Sequence, residues 1–262
     1  MLDRITPLVL TYNEEANLRR LLQSLAWAKR VVVVDSESTD GTRSIAAEFL
    51  NAEFVVRKFD ELARQWNYGL AETGIQSDWV LALDADYVLP PVFVAELARL
   101  DPAADIDGYR AGFRYCIEGE PLRGGLYPPV TVLFRRERAR FLQDGHAHRV
   151  SVPGRVETFF SRLLHDDRKP LDRWFSSQLS YMRLEAEKLL STPLGQLGTP
   201  DRIRRLVVVA PVLVFFYCLI MKGNLLDGRR GILYAMQRAA AELILSAFLV
   251  EAGMRQGSMN EK

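Results

Sequence analysis

Short apolar runs alternate with segments of helical periodicity through the first ninety residues. Ile5 to Leu10 reads as an apolar strand that ends at Thr11-Tyr12-Asn13. Leu18, Leu21, Leu22 and Leu25 then recur on one face of a helix, which Asn13 could cap and whose first turn would hold Glu14 and Glu15. Val31 to Val34 is a β-branched strand closed by Asp35, and the polar turn Ser36–Gly41 leads into a second helix carrying Ile45, Ala46 and Phe49. Phe54 to Val56 predicts a third strand and Leu62 to Glu72 a third helix. A fourth strand, Trp79 to Leu83, is apolar on both faces and runs straight into Asp84-Ala85-Asp86. Strand alternating with helix predicts an α/β domain, a mostly parallel sheet wrapped by helices. Such sheets bind ligands beyond the carboxyl ends of their strands. Tyr12, Asp35 and the Asp84/Asp86 pair are all strand-end residues, so three loops are expected to converge on one crevice.

The other end of the chain has a different texture. Leu206 to Met221 is sixteen apolar residues without a charge. As a helix it would reach about 24 Å, short of a hydrocarbon core of about 30 Å. Pro211 is expected to break it near its first third. Arg202, Arg204 and Arg205 precede the run, and Lys222, Arg229 and Arg230 follow it, whereas a span normally gathers its positive charge on one side. A kinked, re-entrant or interface-lying hairpin fits better than a span, with a buried core helix as the alternative. Residues 232 to 250 carry a second helical pattern that could pack on the first or on another copy of the chain. The expected division is a domain over 1–200 and a helical, membrane-associated segment over 201–262.

Charge sharpens this picture. The net charge of +1 supplies no global field for a polyanion, so nucleic acid is not an expected partner. Residues 201–262 hold nine Lys and Arg against five Asp and Glu, so the basic end is also the apolar end. Cys116 and Cys218 lie far apart without metal-ligand spacing, which fits a reducing compartment. The first ten residues lack the pattern of a signal peptide, and cytoplasmic residence is the expectation.

Two carboxylates one residue apart repel each other when shielded from water, which calls for a cation beside Asp84 and Asp86. A second such pair, Asp105-Ile106-Asp107, falls in an expected loop. All three histidines, His146, His148 and His165, lie within twenty residues of one another. If Val150–Arg155 were a hairpin turn centred on Gly154-Arg155, mirror register would set Asp144 opposite His165. Trp174, on a helical pattern with Phe175 and Leu179, reads as core rather than as an acceptor platform.

"LTYNEEANL", "VVVVDSESTDGT", "ARQWNYGL" and "VLALDADYVLPP", in that order and spacing, resemble the nucleotide-sugar half of a family 2 glycosyltransferase of the GT-A fold, over residues 5 to about 92. "DGHAHRV" and "HDDRKPLDRW" further resemble bacterial members that act in lipopolysaccharide core or surface-polysaccharide assembly. The resemblance implies that Thr11, Tyr12, Glu14 and Asp35 surround the base and ribose of the donor, with Gln65 and Asn67 lining the same pocket. It implies Mg²⁺ or Mn²⁺ on Asp84 and Asp86, with Ala85 between them at the donor. Tyr87 stands where many relatives have another acid. His165 would complete the metal shell or bond the diphosphate, and Arg168 and Lys169 would offer cations to the same phosphates. Asp144 is the expected base for inversion, with His146 as the alternative. The implied partners are a nucleoside diphosphate sugar, UDP-linked by expectation, and a lipid-linked or lipopolysaccharide acceptor at the cytoplasmic face of the inner membrane. A peripheral or re-entrant attachment is implied, and a homo-oligomer is allowed. Two other classes are alternatives: a nucleotidyltransferase, whose Gly-rich basic first loop is missing, and a membrane-docked module that binds the donor without turnover.

Overall fold

The computed structural model describes residues 1–144 and 147–260, except for the side chains of 144, 147, 148 and 256–260. The chain divides into two compact units: Met1–Pro121 with Tyr127–Lys169, and Leu122–Leu126 with the chain from Pro170 onward.

In the first unit the elements run β1 (Ile5–Thr11), α1 (Leu18–Ser24), β2 (Val31–Asp35), α2 (Thr42–Ala46), β3 (Ala52–Val56), α3 (Leu62–Glu72), β4 (Trp79–Asp84), β5 (Tyr87–Val88) and α4 (Pro91–Arg99). There follow β6 (Ile106–Ile117), β7 (Glu120–Pro121), β8 (Val130–Arg135), β9 (Arg140–Asp144), β10 (Ala147–Ser151) and β11 (Arg155–His165). The main sheet has the order β3-β2-β1-β4-β8-β6-β11-β5. Its first four strands are parallel, as the sequence pattern predicts, and β8 is antiparallel to both its neighbours. This is the α/β architecture of the GT-A fold.

The alternation of side chains across a strand shows why the Val31–Val34 run has no polar face. Val31 and Val33 pack with Leu21, Leu22 and Phe93 on one side of the sheet, while Val32 and Val34 pack with Trp66 and Phe134 on the other. Both layers are dry, so the strand ends are the places where polar groups can meet. Register fixes which ones do: Thr11 pairs with Asp35, and Leu10 pairs with Asp84.

Three local expectations are corrected. Asn13 does not cap α1, which begins only at Leu18; Asn13 instead adopts φ 55° and accepts a 2.8 Å bond from the Thr39 N–H, tying the first loop to the second. Glu14 and Glu15 therefore precede the helix rather than fill its first turn. The hairpin centred on Gly154 does not exist. β9 pairs with β10 across residues 145–146, with Asp144 facing Ala147, while β11 runs parallel to β6 and sets His165 opposite Tyr87 on β5. Gly154 serves close approach instead, since a side chain there would collide with the Asp107 carboxylate.

The second unit is helical, with α5 (Leu171–Ser191), α6 (Thr199–Arg204), α7 (Val209–Phe216) and α8 (Gly228–Asn260). Trp174, Met182 and Leu189 of α5 pack with Ala241, Leu245 and Leu249 of α8, so Trp174 is core. That packing draws α5 into the helical unit and moves the division from residue 200 to Lys169/Pro170. Pro211 does not break the apolar run. It sits in the first turn of α7, where its missing N–H costs nothing, and the break falls at Val207, which is left-handed at φ 56°. Beyond Phe216 the helix widens into a π turn over Tyr217–Met221.

Candidate active site

Beyond the ends of β1 and β2, Thr11 and Asp35 form a buried polar knot. Asp35 is 2% exposed and accepts from Thr11 Oγ1 at 2.7 Å, from the Ser38 N–H at 2.7 Å and from Ser38 Oγ at 2.6 Å. A carboxylate offers about four acceptor positions, so about one remains for a ligand hydroxyl or ring N–H. Tyr12 next to it is 57% exposed, an aromatic face open to solvent at the end of β1. Asp40 holds the turn, accepting from the Thr42 N–H at 3.0 Å.

Gln65 and Asn67 take bracing positions rather than lining ones. Gln65 is fully buried, donates to Ser36 Oγ at 3.0 Å and to the Arg57 carbonyl at 3.1 Å, and accepts from the Arg57 guanidinium. Both its amide donors are consumed beneath the loop that follows Asp35. Asn67 exchanges two 2.9 Å bonds with the backbone of Phe141, anchoring β9 on α3. The strand so anchored ends at Asp144. The Asp144 side chain and the whole of His146 lie outside the described residues.

At the end of β4, Ala85 is buried and Asp86 turns inward. Asp86 Oδ2 lies 2.9 Å from His165 Nε2, while Asp86 Oδ1 and His165 Nδ1 are buried without a hydrogen-bond partner among the described residues. Burial disfavours charge on both groups, but their mutual attraction more than offsets it. The Asp86 carboxyl is held below its ordinary range and the His165 imidazole above its own. The rings of Tyr87, Tyr115 and Tyr127 surround the imidazole at centroid distances of 5.6, 4.8 and 4.7 Å, and the Tyr87 and Tyr127 hydroxyls are bonded at 2.8 Å. Tyr87 is thus one wall of the histidine's aromatic enclosure. The other acid pair behaves differently: Asp107 is held by Arg138 at 3.0 Å and Arg135 at 3.5 Å, and Asp105 by Arg155 at 3.0 Å. Arginines neutralise that pair, so it needs no cation.

The segment after His165 folds back on the first loop. Lys169 Nζ donates to Glu14 Oε1 at 2.5 Å, Asn17 Nδ2 donates to Glu14 at 2.9 Å and to Asp167 at 2.8 Å, and the Arg168 N–H donates to Asn17 at 2.9 Å. Burial pushes the Glu14 carboxyl up to about 7 against the pull of Lys169, and Asp86 adds to the rise. Burial works against the Lys169 charge, yet Glu14 and the acids beyond it hold its ammonium above the usual lysine range. The Arg168 guanidinium lies on Asp166 at 2.9 Å. Arg168 and Lys169 are thus already engaged with acids, and a phosphate would have to share them. Asn17, Ser38, Tyr115, Tyr127 and Asp166 carry much of this architecture. Asn17, Ser38 and Asp166 lie inside the motif segments but have no residue type that singles them out there, and Tyr115 and Tyr127 lie outside those segments; the doubled acid after His165 is the local sign.

The donor set at Asp84 and Asp86 suits a hard cation. It offers two carboxylates, one with an orphaned buried oxygen, and an imidazole alongside. Among the described residues no group of three His, Cys, Asp or Glu side chains is placed to hold a metal ion. Two carboxylates are about what Mg²⁺ or Mn²⁺ takes from a protein, the remaining ligands being water and substrate phosphates.

The sequence profile of glycosyl transferase family 2 matches residues 8–160, from β1 into β11. The chain belongs to glycosyl transferase family 2. Among curated members it is 26% identical over 260 residues to the lipopolysaccharide core biosynthesis glycosyltransferase LpsC of Rhizobium meliloti, covering 93% of this chain and 90% of that one. An uncharacterized glycosyltransferase of Rickettsia bellii is 37% identical over 109 residues, 41% of this chain and 36% of its own. Two solved structures share the fold. The mannosyltransferase PcManGT of Pyrobaculum calidifontis, in complex with GDP-Man and Mn²⁺, aligns with a TM-score of 0.52 at 16% identity, over 96% of this chain and 86% of that chain. S. aureus TarS 1-349 in complex with UDP-GlcNAc aligns with a TM-score of 0.50 at 17% identity, over 97% and 92%. Membership of this family sets aside the nucleotidyltransferase reading.

Proposed function

We propose that this family 2 glycosyltransferase moves a sugar, with inversion, from a nucleoside diphosphate donor to a lipid-linked or lipopolysaccharide acceptor at the cytoplasmic face of the inner membrane. The observation that carries the reading is the buried Asp86 oxygen, without a partner among the described residues, just beyond the end of β4, whose Asp84 pairs with Leu10 beside the Thr11–Asp35 knot. Support for the acceptor class comes from the near full-length similarity to a lipopolysaccharide core enzyme. A nucleotide-sugar donor is supported by the complexes of the two structural neighbours, one of which also holds Mn²⁺.

On this reading Tyr12 offers its ring to the base, and the remaining acceptor position of Asp35 takes a ribose hydroxyl or a base N–H. Asp84 and Asp86 would hold Mg²⁺ or Mn²⁺, with His165 beside them. Bound there, the cation neutralises the negative charge that develops on the departing diphosphate. Lys169 and Arg168 lend positive potential from the loop after β11. Asp144 takes the proton of the acceptor hydroxyl as that oxygen attacks the anomeric carbon from the side opposite the diphosphate, with His146 the alternative base.

Incubating the protein with Mn²⁺ and a panel of UDP- and GDP-sugars, and following release of the nucleoside diphosphate, tests this directly. One donor is expected to be hydrolysed slowly without acceptor, and release is expected to stop with EDTA. Binding without release, in the presence of a membrane extract as acceptor source, would reduce the protein to a nucleotide-sugar-binding module.

A further inference from the structure

In the second unit, apolar side chains that a soluble helical bundle would bury lie in the open. Val212, Phe216, Ile220 and Met221 project from α7 and the π turn, and Leu225 and Leu226 from the tip that precedes α8; Met221 is 73% and Leu226 72% exposed. The feature continues along α8. Ile232, Met236, Leu243 and Val250 fall at intervals of four or seven residues and are all exposed, which makes a stripe along one face. The opposite face of α8 is committed to the protein, with Leu245 and Leu249 in the core, Glu242 on Arg204 at 3.0 Å, and Ser246 on the Val207 carbonyl at 2.6 Å.

The flanking cations divide in the same way. Arg204 is turned inward onto Glu185 and Glu242. Arg205, Lys222, Arg229 and Arg230 make no ion pair with any described residue, although they border the exposed apolar face. Lys222 also lies over the Tyr217 ring at 5.5 Å, while Arg205, Arg229 and Arg230 have no ion-pair partner among the described residues. Cations beside unpartnered apolar side chains match the two parts of an anionic lipid interface, headgroup and acyl chain. A second copy of the chain fits poorly, because a two-fold contact places each patch against itself and would bring these cations together.

Spanning is also disfavoured. Asn224–Arg255 is long and apolar enough to cross a bilayer by length and composition. Its inner face nevertheless carries Glu242 and Ser246 in polar contacts within the unit, so a bilayer could surround only half of it.

We propose that the α7–α8 hairpin lies flat in the surface of an anionic membrane, with Phe216, Ile220, Met221 and Leu226 entering the acyl boundary and Arg205, Lys222, Arg229 and Arg230 on phosphate headgroups. This rests on the functional reading only for its purpose, which is to hold the donor site beside a membrane-borne acceptor.

Flotation of the full-length protein with vesicles of phosphatidylcholine, with or without phosphatidylglycerol, tests it. The parent is expected to float with the anionic vesicles and weakly with the neutral ones. Phe216→Asp with Leu226→Asp is expected to abolish flotation, and Arg229→Ala with Arg230→Ala to weaken it about tenfold to thirtyfold. These residues are exposed, so folding is expected to survive, and UDP binding in the same preparations checks that it has. A parent that stays with the supernatant, or variants that float as the parent does, would overturn the proposal. So would a detergent-free dimer that the same substitutions dissociate. Flotation without UDP binding would leave the docking surface standing and remove the glycosyltransferase reading instead.

Discussion

Asp86→Ala is expected to lower sugar transfer by about a thousandfold or more and to remove Mn²⁺-dependent binding of the donor, while the protein stays folded. The size follows from losing a Lewis acid that contributes several kcal/mol of charge stabilisation in the transition state. Folding survives because the partner left behind can discharge. His165 is buried, and without the carboxylate at 2.9 Å its imidazole becomes neutral rather than staying as an unpaired buried cation. This gives the variant a pH signature. The His165 pKa is raised in the native protein, so the pair contributes stability that is present below the unfolded value of about 6.5 and is lost as pH rises through the native value. Thermal unfolding without metal is therefore expected to separate parent and variant more at pH 6 than at pH 9. A separation that grows toward alkaline pH would contradict the ion pair.

Asp144→Asn is expected to lower kcat about a hundredfold or more and to leave donor affinity nearly unchanged, because a general base acts in the transition state and not in binding. Backbone geometry supports the expectation that the effect is confined to chemistry. Asp144 terminates β9, a two-stranded ribbon with β10 that is anchored on α3 through Asn67 and Phe141 rather than built into the main sheet. Asparagine has nearly the volume of aspartate, so the substitution removes a carboxylate without changing the size of the side chain. Steady-state kinetics on Asp144→Asn and His146→Ala separate the two candidates. Retained turnover in the first with loss in the second would move the role to His146.

What the sequence made legible was local. Helix α3 falls on Leu62–Glu72 as its periodicity predicts, and Thr11, Asp35, Asp84 and Asp86 all fall at or just beyond strand ends, because an apolar run that stops at a polar residue marks its own terminus. The enclosure of His165 was not legible. Tyr87, Tyr115 and Tyr127 reach it from three separated segments, and the pairing of β11 with β6 joins residues about fifty positions apart. Parallel pairing at that distance leaves no periodic trace. The mirror argument that placed Asp144 beside His165 failed for a related reason: a glycine can signal close approach as well as a turn, and Gly154 lies against Asp107. Gln65 and Asn67 show the same limit. Their residue types suit a ligand pocket and equally suit bracing of a loop and a strand, and only the hydrogen bonds distinguish the two uses.

A nucleotide is expected to be held jointly by the strand-end acids and a divalent cation. Titration calorimetry of UDP into the metal-free protein, repeated with Mn²⁺, tests this most directly. The expected result is binding strengthened at least tenfold by Mn²⁺ in the parent and unaffected by Mn²⁺ in Asp86→Ala. Equal UDP affinity with and without Mn²⁺ in the parent would contradict the metal role of Asp86 and the mechanism built on it.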